Sequence, residues 1–114
     1  MRIELANETQ AKEVIRFLDK HLSKDDKSVI PEEFLCPFGV RAAIKRKQLI
    51  VGLDRQKIIS ALRFYRRKKD GITSIYQFAI NESYPQKTTL KQMLRFTGHN
   101  QFEFSYPRKD IYVL

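Results

Sequence analysis

Three stretches of this sequence carry side chains whose types and spacing could do chemistry. The first is "QFAINESYPQKTTL", 77–90, where an apolar run ends in a polar turn and reopens as a helix. Such a strand-to-helix junction is where backbone amides and the helix dipole can hold a phosphate; Lys87 would add a charge, and the Thr88 and Thr89 amides and hydroxyls would add donors. The stretch has no glycine, the residue that lets backbone approach phosphate most closely. A plain junction, with Thr88 or Thr89 capping the helix and Lys87 solvated, is the competing reading. The second stretch is "RFYRRKK", Arg63 to Lys69, where aromatics interleave with cations. Its charges suit phosphates, and Phe64 or Tyr65 could stack on bases, so a nucleic-acid surface competes with a solvated hairpin end. The third is the single Cys36 between Leu35 and Pro37, which reads as a small buried apolar residue because neither His21 nor His99 is near it in sequence.

Composition bounds these readings. With 114 residues, 42% of them hydrophobic, the chain should fold as one domain, 1–114. The formal charge of +9 favours polyanionic partners. One cysteine and two histidines are too few for a zinc site of ordinary spacing, so no metal is expected. The first ten residues have no apolar signal core, and no apolar run approaches the roughly 20 residues that span a bilayer, so a cytoplasmic location without membrane partners is expected.

The elements that must position these groups follow from periodicity. "RIEL" alternates as a strand, and Asn7 with Gln10 three positions on forms a capping pair before a helix with Ala11, Val14, Ile15, Leu18 and Leu22 on one stripe. That helix should end near Ser23. A second, broken helix is expected from Glu32 to about Arg46, interrupted by Pro37 and Gly39, with Phe34, Leu35, Phe38, Ala42 and Ile44 making apolar contacts. From Gln48, "QLIVGL", "KIISALRFYR" and "TSIYQFAI", separated by "DRQ" and "RKKDG", read as an antiparallel three-strand meander. The third run is apolar on both faces, so it should lie centrally, covered on one face by the two N-terminal helices and on the other by a helix carrying Leu90, Met93 and Leu94. Gly98 stops that helix, and "QFEFSY" is a further strand.

This order, and the local run from "EFLCPFGVRAAIKRKQLIVGLDRQKIISALRFYRRK" to "SIYQFAI", resembles the front half of the GNAT (GCN5-related) N-acetyltransferase family over about Arg2 to Phe104. The resemblance implies an α/β, mostly antiparallel mixed sheet flanked by helices, C-terminally shortened, with acetyl-coenzyme A as cofactor. In that family the fourth strand pairs with pantetheine, which here falls on Phe78, Ala79 and Ile80. A Q/R-x-x-G-x-G/A loop wraps the pyrophosphate, which falls on Gln86, Lys87, Thr88 and Thr89. The loop is degenerate here: Pro85 stands for the initial Gln or Arg, Thr88 for the first glycine and Leu90 for the final small residue.

The family's general acid is a tyrosine on a later helix that this chain stops short of. Tyr106 and Tyr112 are the tyrosines available, each with packing as its alternative, and Glu82 just past the fourth strand is the available general base. The resemblance therefore implies acyl-coenzyme A binding and possible acetyl transfer to a small or protein amine. A noncatalytic scaffold and a basic nucleic-acid-binding module are the alternatives. A shortened fold would leave the edge near "QFEFSY" open, and a homodimer is one way to cover it.

Overall fold

The computed structural model describes residues 1–21, 37–105 and 108–113. Strand β1 (Arg2–Leu5) leads to Asn7, whose side chain accepts from the Thr9 amide while Gln10 returns a bond to the Asn7 amide at 2.9 Å. This capping pair closes a short 3-10 turn, Glu8–Gln10, that runs into helix α1 (Ala11–His21). Helix α2 (Pro37–Lys45) precedes the meander β2 (Leu49–Asp54), β3 (Lys57–Arg66) and β4 (Thr73–Ile80). Helix α3 (Gln86–Phe96) then returns the chain to β5 (Gln101–Ser105) and β6 (Arg108–Val113). All six strands form one sheet in chain order; only β4 and β5 are parallel, as a helical crossover between them requires.

Two extra residues decide which side chains face which helix. Leu53 pairs with Ile58 and Gly52 with Ser60, so Ile59 is a bulge in β3; Phe64 pairs with Ile75 and Arg63 with Gln77, so Tyr76 is a bulge in β4. Ile75 and Phe78, three apart, therefore share a face. On that face they join Ile50, Leu62, Phe64 and Phe102 beneath Met93 and Leu94 of α3. The opposite face presents Leu49, Val51, Ala61 and Ala79 to Val14, Phe17 and Leu18 of α1 and to Val40, Ala43 and Ile44 of α2. Gly52 is required by contact rather than by turn: a Cβ there would collide with Ser60 Oγ.

The two-faced core matches expectation, with corrections. Phe38 is 83% exposed, and the buried face of α2 is Val40, Ala43 and Ile44, because a helix starting at Pro37 turns Phe38 outward. Gly39 lies inside that helix without ending it. The β5 edge is not open, since β6 pairs along it from Gln101↔Val113 to Ser105↔Arg108. The expected segments at Leu22, Ser23 and Glu32 to Cys36 lie outside the described residues.

Candidate functional site

Among the described residues, β4 pairs with β5 at Thr73↔Phe102, Ser74↔Glu103 and Ile75↔Phe104; β5 ends at Ser105, so the last residues of β4 run on past it and the sheet has a gap in its pairing beside Phe78 to Ile80. Helix α3 begins just beyond this unpaired stretch, because the chain leaves β4 at Ile80 and turns back within five residues. The turn is built without glycine. Asn81 donates its amide to the Ile59 carbonyl (2.9 Å), its side-chain oxygen accepts from the Ser83 amide (3.0 Å), and its carbonyl accepts from the Tyr84 amide (3.1 Å). Tyr84 then donates its hydroxyl to Asp54 Oδ2 at 2.6 Å, tying the turn to the β2–β3 hairpin. That bond to a carboxylate, then burial, raises the Tyr84 pKa.

Pro85 occupies the N-cap of α3 in an extended conformation and offers no side-chain cap. The first helical hydrogen bond runs from the Thr89 amide to the Pro85 carbonyl at 3.1 Å. The amides of Gln86, Lys87 and Thr88 are therefore the donors left at the positive end of the helix, and the side chains of all three are exposed rather than folded over it. This corrects the assignment of Thr89: it is 3% exposed, its amide is spent inside the helix, and neither Thr88 nor Thr89 caps it.

The remaining expected residues divide by role. The Ala79 side chain is buried against α1 and α2, and Phe78 packs on the α3 side. The backbone of Phe78 to Ile80 lies beyond the stretch paired with β5. Glu82 is exposed in the turn, and its charge reaches His21 at the end of α1. His21 packs on Phe17 with ring centroids 4.4 Å apart, and burial first, then Lys20, lower its pKa against the opposing pull of Glu82. A shallow pocket of ≈ 230 Å³ opens beside it, lined by Arg16, Lys20, His21, Lys57 and Asn81 among others. Tyr106 lies outside the described residues, and for Tyr112 only its place in β6 is described.

Sequence reasoning missed Asn81, Tyr84 and Asp54. Asn81 and Ser83 carried a legible signal, an Asx turn directly after a strand. The basic cluster, by contrast, is divided: Arg63 lies over the Tyr76 ring (5.9 Å), and Arg67 pairs with Asp70 (3.1 Å) and Glu103 (3.3 Å).

No protein-family model and no curated protein matches the chain. Solved structures do match. A GNAT-family acetyltransferase from Colwellia psychrerythraea superposes with a TM-score of 0.63 at 16% identity, over 84% of this chain and 34% of that one. The PaiA N-acetyltransferase of Thermoplasma acidophilum, solved with coenzyme A, gives 0.63 at 9% identity, over 90% and 77%. The diaminobutyrate acetyltransferase of Paenibacillus lautus, solved with L-2,4-diaminobutyric acid and coenzyme A, gives 0.66 at 12% identity, over 90% and 63%. The chain thus spans about a third of the first of these proteins and under two thirds of the third. A meander whose fourth strand runs on past its pairing with a parallel fifth and leads into a helix, superposing on these enzymes, is the fold of the GNAT N-acetyltransferases.

Proposed function

We propose that the chain binds an acyl-coenzyme A in the gap between β4 and β5. The observation that carries the reading is the uncapped start of α3 at the mouth of that gap, with the Gln86, Lys87 and Thr88 amides unspent and Lys87 exposed beside them. Those amides and the Lys87 ammonium would take the pyrophosphate, and the backbone of Phe78 to Ile80 would pair with the pantetheine arm. Without the family's glycines the phosphates sit farther from the backbone, so affinity is weak. The reaction that fits such a site is acetyl transfer: an amine nitrogen attacks the thioester carbonyl, a base takes its proton, and the coenzyme A thiolate leaves. Glu82 and His21 are the proton acceptors this reading assigns.

Thermal melts with coenzyme A and acetyl-coenzyme A up to millimolar concentration test the binding. Ligand at 100 times its dissociation constant stabilises the native state by about 2.7 kcal/mol, an easily visible shift. Lys87→Ala should reduce the shift, and Pro85→Arg with Gln86→Gly and Thr88→Gly should enlarge it. Silence from the wild type and the glycine variant alike would remove the site. Binding without transfer to a panel of amines would favour the noncatalytic scaffold.

A further inference from the structure

A second cavity lies at the opposite end of the sheet from this gap. It is an open pocket of ≈ 520 Å³ under the last turn of α3, where β1 ends, β2 begins and β3 ends. Its floor is Ile50, fully buried, and Phe64, 8% exposed; its walls include Leu5 and Phe96, large apolar side chains left 40% and 45% exposed. Apolar surface of this kind costs free energy in water unless something covers it. The polar part of the lining is one-sided: Lys47, Arg66 and His99 stand there with Gln48, Tyr65 and Thr97, and, among the described residues, no carboxylate.

Arg66 and its neighbour Arg67 make the asymmetry plain. Arg67 is held by Asp70 and Glu103, whereas Arg66 has no ion pair among the described residues, and its charge acts on His99, lowering that ring's pKa after burial. His99 is fixed by a 2.6 Å hydrogen bond between its Nδ1 and Thr73 Oγ1 and by an edge contact with Phe64, which leaves Nε2 as the ring nitrogen available to a ligand. The volume falls within the roughly 300–1,000 Å³ common for small-molecule sites, which are likewise apolar with a few convergent polar groups.

We propose that this pocket binds a small anion with an apolar body, a carboxylate or phosphate monoester on a short aliphatic or aromatic group. The body covers Ile50, Phe64, Leu5 and Phe96, and the head group meets the Arg66 guanidinium, whose fork suits either acid, with Lys47 as a second charge. The site is separate from the start of α3, so its occupancy does not depend on coenzyme A binding.

Amide-resolved NMR titration of the whole chain with octanoate and octyl phosphate, and with octylamine and octanol as controls, tests it. The expected result is saturable shifts at Gln48, Tyr65, Arg66, Thr97 and His99 with at least one of the acids, and none with octylamine at equal concentration. The tighter acid identifies the head group. Arg66→Glu combined with Lys47→Glu, both exposed positions, should weaken binding by at least about tenfold with the rest of the spectrum unchanged. Gln48→Trp should block it by filling the pocket, and Lys87→Ala should leave it untouched. The proposal is overturned if both acids are silent at millimolar concentration, if octylamine binds as well as they do, or if the charge reversal has no effect. Shifts confined to Gln86 to Thr88, or self-association through this face with both acids silent, would also overturn it.

Discussion

Strand β4 is closed at one end and open at the other. At its start, Thr73 pairs with Phe102 and binds His99, and Phe102 is wholly buried beside Ile75, Met93 and Leu94. At its finish, Phe78 to Ile80 run on without β5, and the chain is held instead by polar bonds, Asn81 to Ile59 and Tyr84 to Asp54. One end is fixed by apolar packing and the other by a hydrogen-bonded turn. Pairing with β5 along the whole strand would have satisfied the β4 edge; hydrogen bonds to the β2–β3 side fix the far end instead, leaving the edge at Phe78 to Ile80 without β5.

The contrast breaks most visibly if the closed end is emptied. Phe102→Ala should cost about 3–5 kcal/mol, the range for removing a fully buried aromatic side chain, and lower the denaturation midpoint without changing its slope. Phe78→Ala, partly buried at the open end, should cost markedly less. Equal losses in urea melts would mean that the two ends are held alike.

The parts of this fold that were legible are those set by local periodicity. The Asn7 and Gln10 capping pair, the three meander strands and the apolar residues of α3 all follow from spacing within a few residues. What was illegible depended on distant partners. The Tyr84 to Asp54 bond joins residues 30 apart, and neither residue type announces it. Strand β6 was missed because "RKDIYV" has charge where an apolar alternation should be and is preceded by Pro107. Phe38 misled for a simpler reason: its apolar side chain was counted as core before the phase of α2 was known. For the candidate site the sequence directs attention to 78–89, but which amides are unspent depends on the helix starting at Gln86, a boundary that pattern alone does not fix.

The β2–β3 hairpin sharpens the comparison at the open end, since Tyr84 is anchored to it. Its two loop residues, Arg55 and Gln56, both have positive φ (52° and 66°), the mirror-image turn that favours Asn-Gly. Arg55→Asn with Gln56→Gly should therefore stabilise the protein by about 1 kcal/mol. The check is a raised melting temperature. An unchanged or lowered value would mean that the Arg55 side chain compensates for its backbone strain, for instance through its charge near Tyr84.

The smallest expected effect separates the two ends by pH. His21 at the open end and His99 at the closed end both have pKa values lowered from 6.5, in each case chiefly by burial. The unfolded chain then binds a proton more readily than the folded one, so the stability each histidine contributes is full above about pH 6.5 and is lost as pH falls through its lower folded value. The secondary causes differ. Arg66 pushes His99 in the same direction as burial, while at His21 the pull of Glu82 opposes burial and Lys20. Asp70, the carboxylate with a lowered pKa, titrates below this window and does not confound it. Melting temperature measured from pH 7.5 down to pH 5 should thus fall modestly, and the slope should flatten more in His99→Gln than in His21→Gln. A slope unchanged in His99→Gln would show that the closed end is insensitive to protonation, and that the Thr73 to His99 bond survives with the imidazole charged because the threonine hydroxyl can turn from donor to acceptor.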